Sequence, residues 1–108
     1  MAKNFVQEGK TIPLVNSGKA EIISGDVVTV GAIVAVAITD IAPGFTGDGF
    51  TDGVFILPKL PADNIPAGSA VFIKDGKIQL DKTSAVAAGI AWEPAGTNVT
   101  VIEVKINA

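Results

Sequence analysis

Short runs of β-branched and apolar residues, broken repeatedly by Gly, Pro, Asn and Asp, set the pattern of this chain. Val27–Val30 and Ile33–Thr39 are two such runs, joined at Gly31-Ala32. Their near-continuous apolarity predicts strands covered on both faces or placed at an interface. Ala35 and Ala37 leave room for another layer to approach closely. Ala70–Lys74 and Lys77–Leu80 flank Asp75-Gly76, which predicts a hairpin closed by a two-residue primed turn. Ile78 and Leu80 alternate with Lys77 and Gln79, so one face of that strand is wet. Asn98–Ile106 reads as the last strand. Its apolar parity switches between Val101 and Ile102, which predicts a bulge there or burial of both faces.

Other segments are weaker. Thr11–Val15 is a short extended piece, and Pro13, which has no N–H, places it at a sheet edge. Ala20–Ile23 suits a second short strand after the Asn16-Ser17-Gly18 turn. Val54–Leu57 reads as a buried strand stopped by Pro58. Asp40–Gly53 holds four Gly and Pro43 and is expected to be a loop. Lys59–Pro66 reads as an irregular crossover. Ser84–Trp92 is ambiguous: its alanines suit a helix, while Gly89 and the β-rich surroundings favour a strand. An internal echo runs through the chain. Ser24-Gly25 before Val27–Val30 resembles Ala67-Gly68 before Ala70–Ile73, and Ile38–Gly44 resembles Ala91–Gly96. The expected architecture is all-β, a compact antiparallel barrel or sandwich with little or no helix. Residues 1–12 are expected to be an arm or edge strand, and 13–108 a single β domain.

Composition narrows the function. The 108 residues include no Cys, His, Arg or Tyr. That removes thiolate chemistry, Cys-type zinc sites, the usual neutral-pH base and the bidentate Arg fork. Charged residues make up 18%, and mean hydropathy is +0.49. So apolar and weakly charged a domain is expected to hide surface in an oligomer or assembly. Net charge is −3 and the eight Lys are scattered, so nucleic acid finds no basic face. Met1-Ala2-Lys3-Asn4 is not followed by an apolar leader, and Val27–Ile38 is shorter than the roughly 20 residues that span a bilayer. A soluble chain made in a cytoplasm, off the membrane, is expected.

Candidate chemistry fails on spacing or context. Gly9-Lys10-Thr11 resembles the end of a phosphate loop, but Asn4 stands where its first Gly is needed and Pro13 where a helix should run. Asp40, Asp48 and Asp52 lack calcium-hand spacing, and no Glu closes the loop. Ser17-Gly18-Lys19 and Ser84 are nominal Ser–Lys candidates in no recognisable setting. No enzyme activity and no cofactor or metal is expected. Phe45 and Phe50 are either folded onto the core or offered to a partner, and Trp92 beside Glu93-Pro94 suits the core or a subunit seam.

The string from Met1 through Phe5, Gly9-Lys10-Thr11 and Leu14 resembles the opening of a family of small tailed-phage and prophage head-decoration, or cement, proteins. The likeness continues through Ser24–Val28, Val34–Ile41, Gly53–Lys59 and Ala88–Glu93. Some members carry a RecA/RadA-like recombinase label, which the missing phosphate loop, short length and absent basic face do not support. The resemblance implies a structural virion protein bound outside the capsid as a homotrimer. The major capsid protein would be its partner, and its synthesis would be in the bacterial host cytoplasm. Phe5, Val6, Phe45, Phe50 and Trp92 are the candidate capsid or subunit contacts. The alternative is a carbohydrate- or ligand-binding β module on the virion surface.

Overall fold

Val34 and Val36 point to one side of their strand, and Ala35 and Ala37 to the other, yet all four are buried. A strand apolar on both faces needs a layer on each, and the chain supplies both. The computed structural model describes residues 3–4 and 6–108. It contains nine strands and no helix among them: β1 (Thr11–Val15), β2 (Val27–Val30), β3 (Ile33–Ala37), β4 (Thr46–Phe50), β5 (Val54–Pro58), β6 (Ala70–Lys74), β7 (Lys77–Gln79), β8 (Val86–Ala91) and β9 (Val101–Ile106). They form two antiparallel sheets, ordered β1-β4-β3-β2 and β5-β9-β8-β6-β7. The fold is all-β, as the sequence predicts.

The two sheets repeat one plan. In each, the first strand pairs with the last, the last with the strand before it, and that strand with the second long one. The bridge Ile22–Ile41 in the first unit matches Ile65–Ala95 in the second. Gly25 N–H donates to Ala37 O as Gly68 N–H donates to Ala91 O, both at 2.8 Å. The echo at Ser24-Gly25 and Ala67-Gly68 is therefore a true correspondence of position. The second echo shifts slightly: the left-handed residue Gly44 is matched by Asn98, not Gly96. The extra β6–β7 hairpin belongs to the second unit alone. Its turn residues Asp75 and Gly76 have φ of 53° and 78°, as a primed turn requires.

Each unit has its own core. Leu14, Ala35, Ala37 and Ile41 fill the first, with Ile12, Ile22, Val28 and Val30 packed around them. Leu57, Ile65, Val71, Ile73, Ile78, Ile102, Val104 and Ile106 fill the second, and Val34 and Val36 of β3 join it. The outer side of β3 thus plugs the first unit onto the second.

Four expectations are corrected. Asp40–Gly53 is not all loop, because it contains β4. Its glycines sit where side chains cannot: a Cβ on Gly49 would lie 2.7 Å from Leu14 Cδ1, and one on Gly47 2.6 Å from Ile41 Cγ1. The neighbours supply the apolar bulk, so the strand carries no apolar signal there. Ala20–Ile23 is not a strand, and only Ile22 makes a bridge. The parity switch at Val101 marks a strand start: Val101 faces outward and Ile102, Val104 and Ile106 inward. The bulge lies in β8 opposite Val71 and Phe72. Leu80 is exposed beyond the end of β7. The ambiguous Ser84–Trp92 segment resolves as strand β8.

Two residues hold this arrangement. Gly89, at the β8 bulge, has φ of 148°, and a Cβ there would lie 2.0 Å from the Lys105 carbonyl oxygen. Asn107, with φ of 58°, joins the units. Its Oδ1 accepts from Val34 N–H at 3.0 Å, and its Nδ2 donates to Val34 O and Thr51 O at 2.8 Å each. Its own N–H donates to Ala88 O at 2.8 Å. The amide takes the place of a neighbouring strand along β3 where β4 has ended. Chemical denaturation should show Gly89→Ala destabilised by about 3–5 kcal/mol, from backbone clash and strain. Asn107→Ala should cost about 2–4 kcal/mol, from unpaired backbone groups and an unfavourable φ.

Candidate functional site

The repeat allows the outward faces of the two sheets to be compared residue by residue. In the first unit the outward positions of β1 and β4 are Thr11, Pro13, Val15, Thr46, Asp48 and Phe50. In the second, the positions matching Thr11, Pro13 and Thr46 are Val54, Ile56 and Val101. These are not buried by the fold: Ile56 is 69% exposed and Val101 50%. At two of these positions, Thr11 and Thr46 against Val54 and Val101, the scaffold tolerates a polar residue in one unit and carries an exposed apolar one in the other. Folding alone does not demand the apolar choice there. The expectation that Val54–Leu57 is fully buried is corrected here. Phe55 and Leu57 point inward, while Val54 and Ile56 stand in solvent.

Trp92 extends this face. Its N–H donates to Glu103 O at 2.8 Å, which seats it beside β9, and it is 54% exposed. Lys105 Nζ lies 5.6 Å from the centre of its ring. That cation–π contact is worth about 0.5–1 kcal/mol at an exposed site. Ile90 pairs with Lys105, and Ile56 with Glu103. The result is an apolar face of Val54, Ile56, Val101 and Trp92, with Glu103 and Lys105 half-buried between them.

The other expected contacts lie elsewhere. Phe50 leans on Phe55, with ring centroids 5.7 Å apart, at the junction of the units. Phe45 is 67% exposed just before β4, so neither it nor Trp92 is core. Val6 is 88% exposed in the segment before β1. Phe5 lies outside the described residues. The chemistry-bearing candidates do not converge. Among the described residues no three acidic, Cys or His side chains gather as a metal would need. Asp81 is a surface residue whose carboxylate accepts from Thr83 N–H at 2.9 Å, and this contact holds its pKa below the usual carboxylate range. No helix of the described residues is long and apolar enough to cross a membrane.

Two residues that the pattern of the chain does not reveal position the loops. Asn16 and Lys59 are both buried and follow the first strand of their respective units. Asn16 Nδ2 donates to Ala20 O at 2.9 Å and Ile41 O at 2.8 Å. Lys59 Nζ donates to Leu60 O, Gly96 O and Val99 O at 2.9, 3.1 and 3.2 Å. A Lys so placed has its three donors matched by three carbonyls, and it ties down the loop leading to Val101. Nothing in a lone Lys between Pro58 and Leu60 signals this from sequence.

The model of the phage cement protein family matches residues 6–106. The chain belongs to that family, whose role is structural and capsid-binding. No curated protein and no solved structure matches the chain.

Lys59→Met removes three hydrogen bonds to Leu60 O, Gly96 O and Val99 O, of which Gly96 O keeps Val99 N–H at 3.2 Å. Denaturant unfolding should show a loss of about 2–4 kcal/mol. Hydrogen exchange should rise at Gly96–Val101 before it rises in β8.

Proposed function

We propose that this protein binds the outside of a phage head as a homotrimer, contacts the major capsid protein, and stabilises the shell. The observation that carries the reading is the exposed apolar face of Val54, Ile56, Val101 and Trp92. The residues before β1 act as an arm and the two sheets as the body. The chain is made in the host cytoplasm and ends on the virion exterior. Stabilisation then follows from mass action. A ligand that binds only the assembled shell lowers its free energy by RT ln(1 + [L]/Kd), and a subunit bridging neighbours must be stripped before they part. Burial of apolar surface supplies the binding, with aromatic anchors such as Trp92 contributing most. Of the two aromatics that a carbohydrate-binding reading would use, Phe50 packs at a tilt against Phe55 and Phe45 is the more exposed.

Capsids of the parent phage lacking this protein, mixed with the purified chain, should take it up and withstand higher temperature before releasing DNA. Trp92→Asp combined with Val101→Lys should weaken uptake at least tenfold by cosedimentation. Both positions are exposed, so unfolding free energy should move by only about 0.5 kcal/mol per substitution. Unchanged uptake by this variant sinks the assignment of the face. Failure of the parent chain to bind capsids sinks the capsid reading itself.

A further inference from the structure

β5 is the outer strand of the five-stranded sheet. Ile106 N–H donates to Gly53 O at 3.0 Å and Lys59 N–H to Thr100 O at 2.8 Å. These bonds fix the alternation, so the N–H and C=O groups of Val54 and Ile56 point away from β9. β7 reaches that side only beyond the end of the strand, through the Lys59–Ile78 bridge and Leu60 N–H to Ile78 O at 2.9 Å. Among the described residues, Val54 and Ile56 have no ladder partner on that side. They form a short open edge whose outward side chains are apolar and exposed.

The first unit closes the equivalent edge. Asn16 N–H donates to Phe45 O, and Thr51 N–H to Lys10 O, so Thr11, Pro13 and Val15 face outward from β1. Pro13 stands where the second unit has Ile56 and removes the central donor. Proline at an edge is a common guard against strand addition. Each edge carries one proline, but Pro13 takes the middle of β1, whereas Pro58 stands at the end of β5 and leaves the groups of Val54 and Ile56 free.

The chain also holds an unused segment. Gly9 O accepts from Thr51 Oγ1 and Lys10 O from Thr51 N–H, which anchors the chain at the start of β1. Upstream, Val6, Gln7 and Glu8 are exposed and make no hydrogen bond to the sheets among the described residues. Extended, residues 1–8 span about 28 Å at most, more than the 22 Å shortest extent of the fold. A ring of three copies requires two different surfaces on each, because a self-complementary patch gives only a two-fold pair. The exposed arm and the open β5 edge are two such surfaces.

We propose that the arm around Val6 of one copy adds as a strand to the β5 edge of the next, at Val54 and Ile56, and so closes the trimer. This rests on the homotrimer reading above. Main-chain hydrogen bonds along the edge supply the affinity and leave the outward side chains of Val54 and Ile56 on the capsid-facing side of the sheet.

The full chain has no Cys, so introduced thiols report cleanly. With both Val6→Cys and Ile56→Cys in one chain, a short bismaleimide should give covalent dimers and trimers in solution or on reconstituted capsids. Each single substitution should give none. Ile56→Pro should raise the dissociation constant of the trimer at least tenfold by light scattering, with an unchanged thermal transition of the monomer, since β1 holds proline at the matching position. Deletion of residues 1–8 should do the same without touching the sheet. Dimers from Ile56→Cys alone would show β5 pairing with β5 and overturn the proposal. So would a double variant that never crosslinks, or a deletion that leaves the trimer intact. If such a chain still binds capsids, the arm is wrong and the cement role stands. If the parent chain binds no capsid, the role itself is wrong.

Discussion

Burial of β3 on both faces is the constraint on which the rest of the molecule depends. Ala35 and Ala37 complete the small first core, and Val34 and Val36 enter the larger second one. Neither unit alone covers that strand. Small residues on the inner side let β4 and Leu14 close in, while valines on the outer side present a branched surface to the other unit. Asn107 then satisfies the stretch of β3 backbone that β4 does not reach. Two units, each marginal by size, become one body through the shared β3, the Asn107 amide and the Phe50–Phe55 contact.

Repetition within the chain also separates what folding requires from what binding requires. Positions that match in the two units and are filled alike serve the fold, as with Leu14 and Leu57, or Ile22 and Ile65. Positions that match and differ were free to differ. Thr11 and Thr46 against Val54 and Val101 are such positions, as is Phe50 against Lys105 in the opposite sense. A face that remains apolar without structural need fits the capsid-binding role of the family to which the chain belongs.

Much of this was legible in the residues. Asp75-Gly76 could only be a primed turn, and the continuous run through β2 and β3 announced two covered faces. The paired Ser-Gly and Ala-Gly motifs pointed to the repeat. β4 stayed hidden because its glycines borrow their apolar contacts from Leu14 and Ile41, and a strand that packs by absence has no hydrophobic pattern. Val54–Leu57 misled for the opposite reason: an apolar run reports a preference for cover but not whether the cover lies within the chain. The exposure of Val101 was not legible, since an exposed valine looks like a buried one until its register is known. Lys59 and Asn107 were invisible, because their roles are set by carbonyls distant in sequence.

The ammonium of Lys59 occupies the place that a bound metal ion or an ordered water often takes in loops of this kind, among carbonyl oxygens with no carboxylate near. Being attached to the chain, it is never supplied by the medium and never lost to it. Loops organised around calcium loosen when the ion is chelated or diluted. A particle that passes from a crowded cell into fresh water or salt meets such changes in full. With its three donors carried by a buried side chain of the chain itself, this loop takes its bridging group from within the protein.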